Sequence, residues 1–200
     1  MHKAFVVVVS GPSGVGKSTI CHEVVRRMGD VYLSVSMTTR PKGPSEGDGQ
    51  DYWYITKNEF QERIEKGMFL EWAEVFGNLY GTPKDKLEQA LAAGKTAIVE
   101  IDVQGGKQVK AEYRDAVMIF ILAPTQRELA ERMAGRGRED EKTAQKRLEE
   151  AGSEIAAAWQ YYQYMVINED LGEAVNEVVQ IIKRARLQKP QQGNFEKESE

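Results

Sequence analysis

The stretch Val6–Thr19, VVVVSGPSGVGKST, constrains the fold of this 200-residue chain more than any other. Val6 to Val9 are β-branched throughout, which suits a strand buried within a parallel sheet. The apolar run stops at Ser10, and Gly11, Gly14 and Gly16 then permit backbone angles and close approaches that bulkier residues resist. Ile20, Val24 and Val25 follow at helical spacing, so a helix is predicted from about Gly16. Gly11–Ser18 therefore reads G-x-x-x-x-G-K-S between a strand and a helix. Backbone N–H groups of such a loop curl into an anion nest, and the first helical turn adds unsatisfied donors and positive dipole. Lys17 is then placed to reach β- and γ-phosphates, and the Ser18 hydroxyl to coordinate Mg²⁺. A turn that merely joins strand to helix would need neither the full spacing nor the Lys-Ser pair. The stretch predicts a nucleoside triphosphate site formed by Gly11, Pro12, Ser13, Gly14, Val15, Gly16, Lys17, Ser18 and Thr19.

Length and charge bound what else the chain can do. Two hundred residues suggest one domain with room for a small inserted lobe. A net charge of −4 argues against broad nucleic-acid binding, because no basic excess exists to displace counterions. Cys21 is the only cysteine, which excludes an intrachain disulfide and fits a reducing cytoplasm. His2 and His22 are too few for a zinc site, and no apolar run is long enough to span a membrane. No cleavable apolar leader is expected ahead of the first strand, and oligomeric state is left open.

Along the chain, periodicity predicts helices at 17–28, 57–66, 83–93, 104–113, 125–136, 139–163 and 171–187, and strands at 31–36, 51–55, 69–76, 78–82, 96–101, 117–122 and 165–168. Residues 37–82 form a mostly β insertion; around it, strands and helices alternate as in a parallel three-layer α/β core. Asp102 falls at the carboxyl end of a strand, where ligands of open α/β sheets collect. Arg132, Arg136, Arg138 and Arg147 gather around the glycines at 135 and 137, as a mobile phosphate-clamping lid requires. Residues 188–200 are polar and expected to be disordered.

The segments SGPSGVGKST, SVSMTTRP, EGDGQDYWY, FLEWAEVFGNLYGTP, EIDVQGGKQVK, RGRED…KRL and VINEDL, in that order and spacing, resemble those of guanylate kinases to about Leu187. The resemblance implies a P-loop core (1–36, 83–124 and 164–187), a β-rich GMP-binding lobe (37–82) and a helical lid (125–163). It also implies phosphoryl transfer from MgATP to GMP, with dGMP as a further acceptor. Glu71 and Asp102 match the family's guanine-reading acids, and Ser36 and Thr82 its hydroxyls. That chemistry is sound in itself: guanine presents N1–H and an exocyclic amine as adjacent donors, for which an acceptor-only carboxylate is the natural partner.

By the same resemblance, Arg40, Tyr52 and Tyr80 hold the GMP phosphate; Arg132, Arg136 and Asn168 contact ATP; Arg147 bridges donor and acceptor. Lys17, Arg40, Arg136 and Arg147 form the catalytic set, and Asp102 has a second role in holding Mg²⁺ through water. The chain departs from the family pattern at Gly43, where a second phosphate-binding arginine is usual; the adjacent Lys42 cannot reproduce a bidentate contact. Two other readings remain at this stage: a non-catalytic guanylate-kinase-like domain that binds proteins, and a P-loop kinase for another phosphorylated acceptor. The intact Gly16-Lys17-Ser18 speaks against the first, and the paired acids with Ser36 and Thr82 against the second.

Overall fold

The computed structural model describes residues 4–44, 46–134 and 141–188. In chain order its elements are β1 (Val6–Ser10), α1 (Lys17–Arg27), β2 (Val31–Ser34), β3 (Met37–Thr38), β4 (Trp53–Tyr54), α2 (Lys57–Glu65), β5 (Phe69–Val75) and β6 (Asn78–Pro83). There follow α3 (Lys84–Ala92), β7 (Thr96–Glu100), α4 (Val103–Glu112), β8 (Val117–Leu122), α5 (Gln126–Ala134), α6 (Glu141–Tyr161), β9 (Tyr164–Ile167) and α7 (Leu171–Gln188).

A five-stranded, wholly parallel sheet in the order β2-β7-β1-β8-β9 forms the centre. Alternate valines of β1 face opposite ways. Val7 and Val9 pack with Ile20 and Val24 of α1 and Val175 and Val178 of α7. Val6 and Val8 pack with Leu87 of α3, Val109 of α4 and Ala158 of α6. Because both faces are covered, the strand reads as an unbroken apolar run rather than an alternating one. This is the three-layer α/β arrangement that the sequence implies.

The insertion is a second sheet, ordered β4-β3-β6-β5, with β3 and β4 parallel and the β3–β6 and β5–β6 pairs antiparallel. The expected strand at 31–36 ends at Ser34, and its continuation, Met37–Thr38, belongs to the second sheet. Pro83 ends β6 and serves as N-cap of α3, so the helix opens one residue later than expected. Phe60 of α2 stacks on Phe69 of β5 with ring centroids 4.4 Å apart, anchoring the helix to this small sheet. Thr56 and Glu59 form a reciprocal capping box that fixes where α2 begins. No helix among the described residues is long and apolar enough to cross a membrane.

Candidate active site

A cleft of about 960 Å³ opens between the carboxyl ends of the central strands and the second sheet. Gly11, Ser13, Gly14, Gly16, Lys17, Ser18 and Thr19 line one side, and Ser36, Arg40, Tyr52, Glu71, Tyr80 and Asp102 the other. Two separately read groups of residues thus share one cavity. Pro12 and Val15 belong to the loop without facing the cleft: Val15 is fully buried in the core, and Pro12 lines a smaller neighbouring cavity.

The loop is held by contacts that its own spacing does not announce. Gly16 caps α1 in a left-handed conformation, φ 91°, and the space a Cβ would need is taken by the Asn168 amide nitrogen, 2.6 Å away. That amide donates to the Val15 carbonyl at 2.7 Å, while the Asn168 carbonyl accepts from Arg132 at 2.9 Å. Asn168 is buried, so it and Arg132 buttress the back of the loop and stand apart from the cleft lining. Lys17 Nζ donates to the carbonyls of Gly11 at 2.7 Å and Pro12 at 3.0 Å, which folds the cation over the loop. Ser18 Oγ donates to Glu100 Oε1 at 2.8 Å.

On the other side, Glu71 is buried on β5 and accepts from Thr82 Oγ1 of β6 at 2.6 Å. Thr82 is itself fully buried, so it reaches the cleft only through this carboxylate. Burial is the main cause that pushes Glu71 up to about 7, with the charge of Asp102 adding to it and Thr82 opposing. Oε2 of Glu71 presses on the start of α4: a Cβ on Gly105 would sit 2.5 Å from it. Asp102 is the N-cap of α4, and its Oδ1 accepts from the Gly105 N–H at 2.8 Å.

Arg40 is pinned. It makes a bidentate pair with Glu46 at 2.8 and 3.0 Å, donates to the Pro41 carbonyl at 2.9 Å, and lies over the rings of Tyr52 and Tyr54. Glu46 also accepts from the Gly43 N–H at 2.6 Å and the Tyr54 hydroxyl at 2.9 Å. Arg40 above all, then the Gly43 N–H and Tyr54, hold the Glu46 carboxyl down at about 2 against partial burial. Tyr52 meets Tyr80 edge to face at 5.8 Å, and burial raises the Tyr52 hydroxyl well above the usual phenol range.

Glu46, Glu100 and Glu154 all line the cleft, yet sequence reading passes over them. Their partners are long-range or loop-bound: Glu100 meets a serine 82 residues away. Glu154 on α6 is pushed up to about 7, chiefly by burial, with Asp102 and Glu150 raising it and Lys17 lowering it. Arg136 and Arg138, and the side chain of Arg147, lie outside the described residues.

Known proteins resemble this chain over nearly its whole length. The family model described as guanylate kinase matches residues 3–185. The guanylate kinase of Carboxydothermus hydrogenoformans is 44% identical, with 98% of this chain and 95% of that protein covered. That of Thermotoga maritima is 45% identical over 92% of this chain and 88% of its own. A crystal structure of guanylate kinase from Anaplasma phagocytophilum superposes with a TM-score of 0.77 at 29% identity, covering 93% of this chain and 87% of that one. With a phosphate loop facing a buried carboxylate across one cleft and matches that run nearly end to end, the chain belongs to the guanylate kinase family.

Proposed function

We propose that the chain transfers the γ-phosphoryl group of MgATP to GMP or dGMP, giving ADP and the nucleoside diphosphate. The observation that carries this reading is the single cleft in which the phosphate loop faces Glu71, held by Thr82, with Arg40, Tyr52 and Tyr80 beside it. ATP lies along Gly11–Thr19, and the backbone N–H groups of the loop and the first turn of α1 receive its phosphates. Arg136 serves the same nucleotide from the lid, and Arg132 and Asn168 serve it from behind the loop that they hold.

GMP lies against the second sheet. Glu71 and Asp102 accept from the N1–H and amine of guanine, Ser36 donates to O6, and Thr82 orients Glu71. Adenine would leave these acceptors, the buried Glu71 above all, facing no donor, so AMP is disfavoured by about 10⁴-fold or more. The acceptor phosphate meets the remaining N–H groups of Arg40 and the hydroxyls of Tyr52 and Tyr80. It is already a nucleophile, and no side chain need remove a proton.

The residues fit Mg²⁺. A hydroxyl and a carboxylate, Ser18 and Glu100, meet at 2.8 Å beside the loop, and Asp102 lines the same cleft. No cluster of three or more acidic, His or Cys ligands occurs among the described residues. That pattern suits an ion held mostly by phosphate oxygens and water, with Ser18 as the direct protein ligand and Asp102 acting through water. Bound there, the ion would neutralise charge on the β- and γ-phosphates. Lys17, Arg40, Arg136 and Arg147 supply the rest of the positive charge for a loose transition state. Residues 37–82 act as the acceptor lobe and 125–163 as the lid, which excludes water on closing. The lone cysteine, buried Cys21, suits the reducing cytoplasm, to which we assign the protein.

A coupled assay of ADP formation with GMP, dGMP, AMP and ribose bisphosphate tests the reading. Turnover of GMP and dGMP but not of the others is expected. No ADP with either guanine nucleotide, or equal rates with AMP, would overturn it.

A further inference from the structure

We infer that Tyr162 is a positioning residue: its hydroxyl, through Ser10, ties the helical arm α6 to the floor on which both substrates rest. Tyr162 follows directly on α6, its N–H still donating to the Ala158 carbonyl at 2.9 Å. Its buried hydroxyl donates to Ser10 Oγ at 2.6 Å across 152 positions of sequence. Ser10 is fully buried and passes the bond on, donating to the Asp102 carbonyl at 3.4 Å.

Both ends of this relay are places where a small shift matters. Ser10 is the last residue of β1, immediately before the phosphate loop. Asp102 caps α4 and lines the acceptor side of the cleft, and its carbonyl also accepts the Gly106 N–H at 2.9 Å. The same α6 brings Glu150, Ala151 and Glu154 to the cleft wall. Two hydroxyls thus fix the loop, the Asp102 turn and the arm at one point. In-line transfer is sensitive to shifts of an ångström or less between donor and acceptor, so that point bears on rate more than on affinity.

Gly106 is cut to fit the relay. A Cβ there would collide with Tyr162 Oη, whereas the ring carbon beneath that oxygen stands at 3.4 Å, an ordinary contact. The room exists for the hydroxyl alone. Phe120 packs edge to face on the Tyr162 ring at 5.3 Å, so Tyr162→Phe removes the hydroxyl and keeps the packing.

The inference rests on the phosphotransfer reading, and its test separates the two. Steady-state constants for ATP and GMP are measured for the unaltered protein and for Tyr162→Phe, Ser10→Ala, Gly106→Ala and the Tyr162→Phe/Gly106→Ala pair, with thermal melts alongside. Each single change should lower kcat by about tenfold, the scale of one lost hydrogen bond, and leave both KM values within about twofold. Gly106→Ala should add no further loss once Tyr162→Phe is present, because the atom it strikes is gone. Unchanged kcat with a lowered melting temperature, KM changes as large as the kcat change, or additive losses would overturn the role. An inactive unaltered protein would overturn the phosphotransfer reading instead.

Discussion

Replacing Gly43 by arginine should tighten the acceptor site. Gly43 lines the cleft three residues after Arg40 and is not among the glycines with a positive φ, so a side chain there meets no left-handed strain. The Gly43 N–H that donates to Glu46 survives the change. Glu46 already accepts four donors, two from Arg40 and one each from Gly43 and Tyr54. Its carboxylate offers about four lone-pair sites, so the new guanidinium finds that acceptor filled and turns to the phosphate of GMP. A charge-assisted contact contributes about 1.5–3 kcal/mol, and ordering a long side chain in an open cleft offsets part of it. A net gain of about 1–2 kcal/mol lowers the KM for GMP by roughly five- to thirtyfold. Initial rates at saturating ATP with varied GMP measure this, with Gly43→Gln as a neutral control of similar reach. The KM for ATP should stay fixed, and the gain should shrink as salt rises. An unchanged or higher KM for GMP in Gly43→Arg would refute the reasoning, since the cleft would then have no use for a second guanidinium.

Glu71→Gln keeps the shape but puts an amine where guanine needs an acceptor; kcat/KM for GMP should fall by about 10²-fold or more while the KM for ATP holds, as substrate titrations would reveal. Gly105→Ala should push Glu71 Oε2 from its place and raise the KM for GMP by roughly tenfold, again sparing ATP. Acidity provides a third measurement. The carboxyl of Glu71 is held up to about 7 in the folded protein, so its contribution to stability is full below the ordinary carboxylate range and is lost as pH rises through about 7. Urea melts of the free protein should show that decline, and Glu71→Gln should lessen it, leaving the share that Glu154 contributes over the same range. GMP needs the ionised acid, so its binding, followed by calorimetry, should strengthen over the same interval in which the free protein weakens.

Much of this was legible in the residues themselves. Val6–Val9 announced a strand covered on both faces, and the valines do divide between two cores. The loop spacing points to Lys17 and Ser18 and the family resemblance to Glu71, Thr82 and Arg40, and all of these but Thr82 line the one cleft. What escaped were partners set by tertiary approach. Nothing near Ser18 in sequence indicates Glu100, and Tyr162 looks like one more aromatic at a helix end until β1 is laid beside it. The break after Ser34 was hidden for a related reason: residues on either side favour strand, and only the second sheet decides which pairing Met37 joins.

The chain leaves the central sheet after β2 and rejoins it at β7, and those two strands pair with each other at its edge. Arg40, Tyr52, Glu71, Tyr80 and Thr82 all lie on the excursion between these neighbouring stems. On the proposed assignment every acceptor contact except that of Asp102, just past β7, is therefore carried on a cassette whose two ends are neighbours. A graft exchanged at those two seams could redirect the enzyme to another monophosphate while leaving the strand, loop and helix that grip the donor untouched.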